Sequence, residues 1–445
     1  MTDEIDKHAE VAQTRSEREA AFDAHVESNL RRNYISHFLH GMLGLTGFRL
    51  IYAPTFIPAY IQILTGSTMM VGLGQSLLQL GAIVSPLVAA NHMETKEHVL
   101  PLSVRAGTMV RLQILGLAIS GFLLSGTPLI VATMIFLLLM GIFQGTQRVA
   151  FALLMAKVIP ISRRGRLQAW RNLIGGAIAA LLSYTAGRYL IQHDVLGNGY
   201  ATTFLLAFGL TSLGLLALQF GMVEPRAPVV REDEPLLARI RQFPALLEDR
   251  DYRNFVIAQA LAICARVSAP FYILYASKLM PLSGETIGIL SLAFLGADTV
   301  TNLIWGHMGD KYGYRIALIG VFSLWASSIA LLFFAWSPMV IIVAFFGLGA
   351  ASSGYVLAAG TIVLEFGVRE DVPMRIALVT TIEGLVSTIG PILAGLLIGA
   401  SGFGWLLGLS FAFILSSLVI ITLWVKEPRH RERIAALAPL SSTYE

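Results

Sequence analysis

The strongest constraint on this chain is a series of apolar runs, each long enough to cross a lipid bilayer as a helix. A spanning helix needs about 20 mostly apolar residues, and twelve such segments lie between residues 34 and 425. Turns such as Gly126-Thr127-Pro128 and Ser337-Pro338 are too short to hold a domain, so neighbouring helices must run antiparallel. With 55% hydrophobic and only 13% charged residues, the chain has too little polar surface to cover a soluble core of its size. The sequence therefore predicts an all-α membrane protein with twelve transmembrane helices.

The positions of the positive charges predict the orientation of these helices. Most of the 32 Lys and Arg residues lie in loops on one side of the predicted membrane, and the cytoplasm normally retains the positive loops. We therefore expect an integral plasma membrane or cell inner membrane protein with both termini in the cytoplasm. The net charge of +4 does not indicate a nucleic-acid partner, because the charges sit in short loops between apolar segments. Residues 1–32 contain no apolar core, which argues against a cleaved signal peptide there.

Two pairs of similar sequence segments indicate that the chain contains an internal duplication. Residues 91–96 read N-H-M-E-T-K, and residues 306–311 read G-H-M-G-D-K close to half a chain length later. A second pair closes the sixth and twelfth predicted spans, as V-E-P-R at 223–226 and V-K-E-P-R at 425–429. Two pseudo-symmetric six-helix halves are the simplest organisation that repeats both signals. The predicted layout is a cytoplasmic tail at 1–32, a six-helix half at 33–222, a cytoplasmic linker with an amphipathic helix at 223–252, a second six-helix half at 253–425 and a cytoplasmic tail at 426–445.

Residues 306–315 read G-H-M-G-D-K-Y-G-Y-R and carry a resemblance to a known family. They resemble the G-x-x-x-D-R/K-x-G-x-R/K loop that the major facilitator superfamily places after its second and eighth helices. The number of spans, the duplication, the central linker and the cytoplasmic termini agree with that family over residues 33 to 430. The resemblance implies a secondary active transporter and a cytoplasmic gate at Gly306, Asp310, Lys311 and Arg315. The first copy departs from the pattern, because Glu94 and Thr95 stand where the second copy has Gly309 and Asp310.

Three arginines lie inside predicted spans, where an arginine costs about 2.5 to 3.5 kcal/mol and must have a partner or a purpose. Arg49 and Arg266 lie near the middle of the first and seventh spans, each shortly before an Ala-Pro pair, so the duplication predicts that they face each other. Arg148 lies on one face of the fourth span together with Gln147. The resemblance implies that helices one, four, seven and ten line a central cavity. All three arginines therefore fall on helices that are expected to line it.

These arginines predict that the substrate is a small anionic solute, because a guanidinium offers paired donors that match a carboxylate or a phosphate. Their placement is similar to that in the organophosphate:phosphate antiporters of the superfamily. The predicted substrate-binding residues are Arg49, Arg266, Arg148, Tyr52, Gln147 and Tyr272. The alternative is that the arginines pair with Asp298, Glu383 and helix carbonyls and hold the two halves together.

Two carboxylates inside predicted spans, Asp298 and Glu383, are candidates for proton coupling, and each begins a polar stripe on one helix face. Burial favours the protonated carboxyl group and a nearby arginine favours the carboxylate, so alternation between two such environments would let the group carry a proton. The alternative is a structural acid that is satisfied by neighbouring polar side chains. His37 and His40, near the cytoplasmic entrance of the first span, are predicted to be structural or interfacial.

The sequence lacks the motifs that would indicate an enzyme or a cofactor-binding or metal-binding protein. No phosphate loop, cofactor motif, metal-ligand cluster or nucleophile–base constellation is visible, so neither an enzyme nor a cofactor or metal is predicted. The predicted partners are a small-molecule substrate, the lipid bilayer and, through the carboxylates, protons, with symport and antiport both open. One alternative is a proton-coupled multidrug exporter of lipophilic compounds. A second alternative is a transporter-like sensor or assembly partner without flux.

Overall fold

The computed structural model describes residues 2–94, 98–225, 243–366 and 371–428, and these residues form helices and connecting turns without a strand. The helices before residue 226 are α1 (Thr2–Tyr52), α2 (Phe56–Thr65), α3 (Thr68–Glu94), α4 (Leu100–Leu123), α5 (Gly126–Val158), α6 (Ile161–Thr185) and α7 (Gly199–Gly221). Those after residue 242 are α8 (Phe243–Leu246), α9 (Arg250–Arg266), α10 (Tyr272–Ala276), α11 (Gly284–Tyr312), α12 (Tyr314–Phe333), α13 (Pro338–Ile362), α14 (Val372–Ser401) and α15 (Phe403–Leu423). The prediction of an all-α protein is confirmed for the described residues. The predicted amphipathic linker helix lies mostly outside them.

Ten of the described helical segments are long and apolar enough to cross a membrane, by length and composition. The predicted first span, 34–62, is divided, because α1 ends at Tyr52 and α2 begins at Phe56. The predicted second span, 68–91, corresponds to α3, whose described apolar part, Thr68–Ile83, is shorter than a full span. An integral membrane protein is therefore supported, while the number of segments that meet this criterion is ten rather than twelve.

The two Ala-Pro pairs singled out in the sequence both coincide with helix breaks. Pro54 lies in the turn between α1 and α2, and Pro270 lies in the 3-10 turn Ala269–Phe271 between α9 and α10. Proline has no backbone N–H and its ring clashes with the preceding helical turn, so it interrupts the hydrogen-bond ladder at both places. Each break follows shortly after one of the predicted arginines, Arg49 or Arg266.

The chain divides into two compact units whose borders differ from the middle of the chain. Unit 1 comprises Met1–Ile51, Leu77–Ala179 and Asp194–Glu234. Unit 2 comprises Tyr52–Ser76, Ala180–His193 and Pro235–Glu445. Two segments from the first half of the chain therefore belong to the unit that contains the whole described second half.

Within unit 2, glycines allow these two segments to approach the second half closely. A Cβ at Gly72 of α3 would overlap the Pro391 carbonyl of α14, and Thr68 Oγ1 donates to the Gly395 carbonyl at 3.1 Å. A Cβ at Gly187, in the π-helix Ala186–Ile191 that continues α6, would likewise overlap the start of α11. Small residues permit such close backbone contact between membrane helices. The start of α3 and the end of α6 are therefore bound to helices of the second half.

Candidate functional site

The centre of the candidate site in unit 2 is an ion pair between α9 and α14. Arg266, the last residue of α9, donates from Nη2 to Glu383 Oε1 at 2.5 Å. The two side chains keep 26% and 37% of their surface exposed, so solvent or a ligand can reach the pair. The Arg266 guanidinium also lies over the Tyr355 ring of α13, with its Cζ 5.6 Å from the ring centroid. The sequence analysis predicted separate roles for these residues in substrate binding and proton coupling, and it named their pairing as the alternative. The structure shows the two residues paired.

Tyr272 lies in a chain of aromatic contacts that begins at this pair. Tyr355 packs edge-on against Trp325 with 5.7 Å between the ring centroids. Trp325 Nε1 donates to the Tyr272 hydroxyl at 3.5 Å, and Ser268 Oγ donates to the same hydroxyl at 2.8 Å. Because Tyr272 is only 2% exposed, this network holds its ring in place. Tyr272 therefore supports the wall beside Arg266.

Asp298, the other predicted coupling carboxylate, lies half-buried on α11. One turn further on, Asn302 Nδ2 donates to Ser353 Oγ at 3.0 Å. Trp305 Nε1 donates to the Ala350 carbonyl at 2.8 Å. These two bonds attach the polar face of α11 to α13, so Asp298 belongs to a face that is held by hydrogen bonds.

The remaining predicted binding residues fall in different surroundings. Arg49 is half-buried near the end of α1, Gln147 of α5 is 7% exposed, and the next residue, Arg148, is exposed. These three residues belong to unit 1, whereas Tyr52 belongs to unit 2 together with Arg266 and Tyr272. The joint site of all six residues therefore stays a prediction.

Unit 1 contains a buried cationic cluster that the sequence analysis missed. Arg111 of α4 is 2% exposed and donates from Nε to the Thr211 carbonyl at 2.7 Å and from Nη1 to the Gly107 carbonyl at 2.6 Å. Arg171 of α6 is stacked over the Phe151 ring, with its Cζ 5.3 Å from the centroid. Nη2 of Arg111 and Nε of Arg171 are buried without a hydrogen-bond partner in the described part of the chain.

Two histidines of α1 complete this cluster. His40 donates from Nδ1 to the Gly214 carbonyl at 3.0 Å, and its ring lies 5.3 Å from Phe151. His37 is fully buried 4.5 Å from the same phenyl ring, and neither of its ring nitrogens has a hydrogen-bond partner among the described residues. Both histidines are thus interior rather than interfacial. Their position one turn apart, on the helix face that also carries Gly41 and Gly44, was the available sequence signal.

The predicted cytoplasmic gate is mostly helical. Because α11 continues to Tyr312, Asp310 and Lys311 lie exposed on its last turn. The turn itself is Gly313, whose φ of 95° lies in a region that favours glycine. Asp310 Oδ1 accepts from the Tyr314 hydroxyl at 2.8 Å. The gate residue Gly306 is half-buried one helical turn before Asp310.

Arg315 attaches this turn to the end of α15. Its Nε donates to the Ile421 carbonyl at 3.1 Å and its Nη2 donates to the Thr422 carbonyl at 2.6 Å. Carbonyls at a helix C-terminus carry partial negative charge, so a guanidinium is favoured there. The contacts of the predicted cytoplasmic gate therefore involve α11, α12 and α15 of unit 2. The side chains of its first copy, including Glu94, lie outside the described residues.

The second sequence repeat places a glutamate beside the start of a helix in each half. Glu224 is buried and accepts from the backbone N–H groups of Val99 and Leu100, each at 2.7 Å, and from Lys157 Nζ at 3.1 Å. In the second half, the Glu427 carboxylate lies beside Gly313, where an added Cβ would be 2.5 Å from its Oε2. Leu100 begins α4, and Gly313 directly precedes α12. Each glutamate therefore lies at the positively polarised start of the helix that forms the third predicted span of its half, α4 or α12.

An apolar groove of about 470 Å³ lies near the ion pair in unit 2. Its lining side chains come from α9, α14 and α15 and are nearly all apolar, among them Val267, Leu393 and Phe413. Cys264 also lines the groove and is two residues from Arg266. Among the described residues, no group of three His, Cys, Asp or Glu side chains is arranged to hold a metal ion.

Comparisons with known proteins agree with this architecture. Residues 255–442 match the family model described as Major Facilitator Superfamily. No curated protein matches the sequence significantly. A point mutant of the nucleoside transporter NupG is similar with a TM-score of 0.67 and 13% identity, over 88% of this chain and 98% of that chain. A D-xylose-proton symporter is similar with a TM-score of 0.66 and 15% identity, over 89% and 98% of the two chains.

A third solved structure extends this range. The human organic anion transporter MFSD10 is similar with a TM-score of 0.56 and 14% identity, over 88% of this chain and 99% of that chain. The fold is thus that of multi-helix membrane transporters. The resemblance to the major facilitator superfamily is confirmed for the second half, which matches the family model over residues 255–442, and the described chain shares its fold with the solved transporters.

Proposed function

We propose that this protein is a secondary active transporter that moves a small anionic solute across the membrane by alternating access. The family-model match over residues 255–442 supports transport. The structural neighbours are named as transporters of nucleosides, of D-xylose with protons and of organic anions, so the fold accepts charged and uncharged solutes. The anionic character is therefore argued from the chain's own residues.

The ion pair of Arg266 with Glu383 carries the proposal. A guanidinium in a low-dielectric site binds a carboxylate strongly, and here the Glu383 carboxylate occupies that position. An anionic substrate group is the chemical equivalent of the Glu383 carboxylate and would compete for the same donors. Protonation of Glu383 removes its negative charge and so releases Arg266 for the substrate. This exchange makes the binding of the proton and of the anion mutually supportive, which favours symport.

The other predicted residues have supporting roles in this proposal. Tyr355 and Tyr272 limit the movement of Arg266 through the aromatic contacts described above. Arg49, Gln147 and Arg148, with Tyr52, are proposed as the complementary polar contacts from the first half of the chain. Asp298 is the second proposed proton carrier.

The test is transport in proteoliposomes made from wild type, Arg266→Lys, Glu383→Gln and the matched variant Thr380→Ala, one turn before Glu383 on α14. We expect Glu383→Gln to bind the anion but to lose its acceleration by an imposed proton gradient. Arg266→Lys keeps the charge but loses the paired donors, so uptake should fall by about one hundredfold, as one to two strong hydrogen bonds require. Thr380→Ala should transport at nearly the wild-type rate. The proposal is wrong if Arg266→Lys carries the identified anion as fast as wild type.

The apolar groove favours a second candidate function, the export of lipophilic compounds. Its volume of about 470 Å³ suits a drug-sized molecule, and its lining is almost free of polar groups. Thermal unfolding of the purified protein with a panel of anions and of hydrophobic cations separates the two candidates. Stabilisation by the cations alone would support the exporter, and stabilisation by anions would support the first proposal. Ligand binding without any flux would instead indicate a sensor.

A further inference from the structure

We propose that a groove at the cytoplasmic end of unit 1 binds the headgroup of an anionic phospholipid of the cytoplasmic leaflet. The groove encloses about 940 Å³ between α1 and the start of α6. Its principal side chains are Arg31, Tyr34 and Ile35 on α1 and Arg163, Arg166 and Trp170 on α6. The site is separate from the ion pair in unit 2, and its existence does not depend on the transport proposal.

The groove is formed by one face of each helix. Arg31, Tyr34 and Ile35 follow the i, i+3, i+4 spacing that places side chains on one side of a helix, and Glu27 continues that face one turn earlier. On α6, Arg166 lies three residues after Arg163. The two faces thus bring three guanidinium groups together around one concave surface. Glu27 is the one acidic side chain among its described lining residues.

The three groove arginines differ from their sequence neighbours in what they bind. Arg32 donates to the Gly221 carbonyl at 2.8 Å and to the Phe220 carbonyl at 3.1 Å. Arg164 donates to the Ile159 carbonyl at 2.8 Å and to the Ala156 carbonyl at 2.7 Å.

Arg31, Arg163 and Arg166 are exposed, and no side-chain hydrogen bond or ion pair joins them to another described residue. Arg32 and Arg164 therefore stabilise the fold through backbone carbonyls, whereas the three groove arginines have donors available for a ligand.

The apolar rim of the groove identifies the ligand as a lipid rather than a free anion. Trp170 is 49% exposed and Ile35 is 48% exposed beside the arginines, and Ile161 at the start of α6 is 82% exposed. Tryptophan is favoured at the membrane–water interface. The positive-inside rule places this end of α6 at the cytoplasmic leaflet, whose anionic lipids attract basic side chains. A phosphate headgroup satisfies the arginines, and its acyl chains cover Trp170 and Ile35.

The first test compares lipid retention in two triple variants of equal charge change. Arg31→Gln, Arg163→Gln and Arg166→Gln are combined in one protein, and the exposed arginines outside the groove, Arg105, Arg250 and Arg253, are changed to Gln in the other. Phosphatidylglycerol and phosphatidylcholine bound to each purified protein are counted by native mass spectrometry. Because each basic side chain near the site adds several-fold to the affinity, the groove variant should lose phosphatidylglycerol affinity by about tenfold or more, and the control should retain it. Equal loss in both variants would overturn the proposal.

A second test uses Trp170 as a reporter and needs no change to the arginines. Brominated phosphatidylglycerol in mixed micelles should quench the fluorescence of the wild-type protein more than brominated phosphatidylcholine does. The difference should disappear in Trp170→Phe. Inorganic phosphate at millimolar concentration should not restore the fluorescence. Persistence of the difference in Trp170→Phe, or full displacement by phosphate, would show that the groove does not bind this lipid.

Discussion

The two halves of the chain stabilise the positive charges of their arginines in different ways. In the second half, Arg266 is paired with the Glu383 carboxylate. In the first half, Arg111 is held by helix carbonyls, Arg171 lies on a phenyl ring and two histidines are buried beside them. Among the described residues, neither of these two arginines has a carboxylate partner. The positive charge of Arg266 is therefore balanced by an acid, whereas the charges of Arg111 and Arg171 are stabilised by carbonyl groups and an aromatic ring.

This contrast fits a division of labour after duplication. A charge that is paired with an acid can be exposed and neutralised in turn, which suits a coupling site. A charge that is stabilised by carbonyls or an aromatic ring has no such switch. Here Arg111 links α4 to α7, and Arg171 links α6 to α5.

The largest expected difference concerns stability after removal of the charge. Arg266→Met leaves Glu383 without its partner, so we expect a loss of about 1 to 3 kcal/mol, less than for a fully buried pair because both side chains are partly exposed. Arg111→Met replaces an unpaired buried charge by an apolar group of similar volume and should stay within about 1 kcal/mol of wild type. Unfolding of the detergent-purified proteins measures both values. Arg148→Met, at an exposed position, is the control and should change little. Equal losses for Arg266→Met and Arg111→Met would remove the contrast.

A smaller difference is expected between the two repeated glutamates. Glu224→Gln turns an amide N–H group toward backbone donors and leaves Lys157 without its acceptor, so a loss of about 2 kcal/mol follows from charge-assisted bonds. Glu427→Gln, at a half-buried position, should cost about half as much. Denaturation of the two variants in the same detergent tests the ranking. A larger loss for Glu427→Gln would show that the second copy, rather than the first, is the stronger helix cap.

The smallest effect concerns the histidines of unit 1. His37→Phe removes two buried ring nitrogens that lack partners and keeps the contact with Phe151, so we expect a gain of about 1 kcal/mol. His40→Phe removes the hydrogen bond to the Gly214 carbonyl and should lower stability by about the same amount. Thermal unfolding of the two single variants gives the sign of each change. A loss of stability for His37→Phe would indicate that its nitrogens are satisfied by a bound group.

Several parts of the fold followed from local sequence alone. Long apolar runs predict helices because each backbone polar group must be satisfied within its own segment in a bilayer. At the two Ala-Pro pairs proline removes a backbone donor and the helices break, although the predicted spans ran through both pairs. The G-x-x-x-D-K-x-G-x-R segment predicts a turn at Gly313 because only glycine readily adopts its φ of 95°. These features depend on residues close together in the chain.

The predictions that failed concern the exposure of side chains, because exposure depends on residues that are distant in the sequence. His37 and His40 were placed at an entrance because they lie near the end of an apolar run, yet Phe151 and Arg171, far away in sequence, enclose them. Arg111 was overlooked as one charge in a strongly apolar segment, although its burial makes it as notable as the arginines that were chosen.

The sequence by itself determined the helical segments and the family resemblance, since these depend on hydropathy and short motifs. The tertiary structure alone decided which charges meet. Arg266 and Glu383 are 117 residues apart, and the sequence offered both Asp298 and Glu383 as partners without deciding between them. A charge in a low-dielectric interior takes its partner from whatever packing brings within reach. The packing of the helices joins Arg266 and Glu383 in one site. It places Arg111 against backbone carbonyls and Arg171 against an aromatic ring.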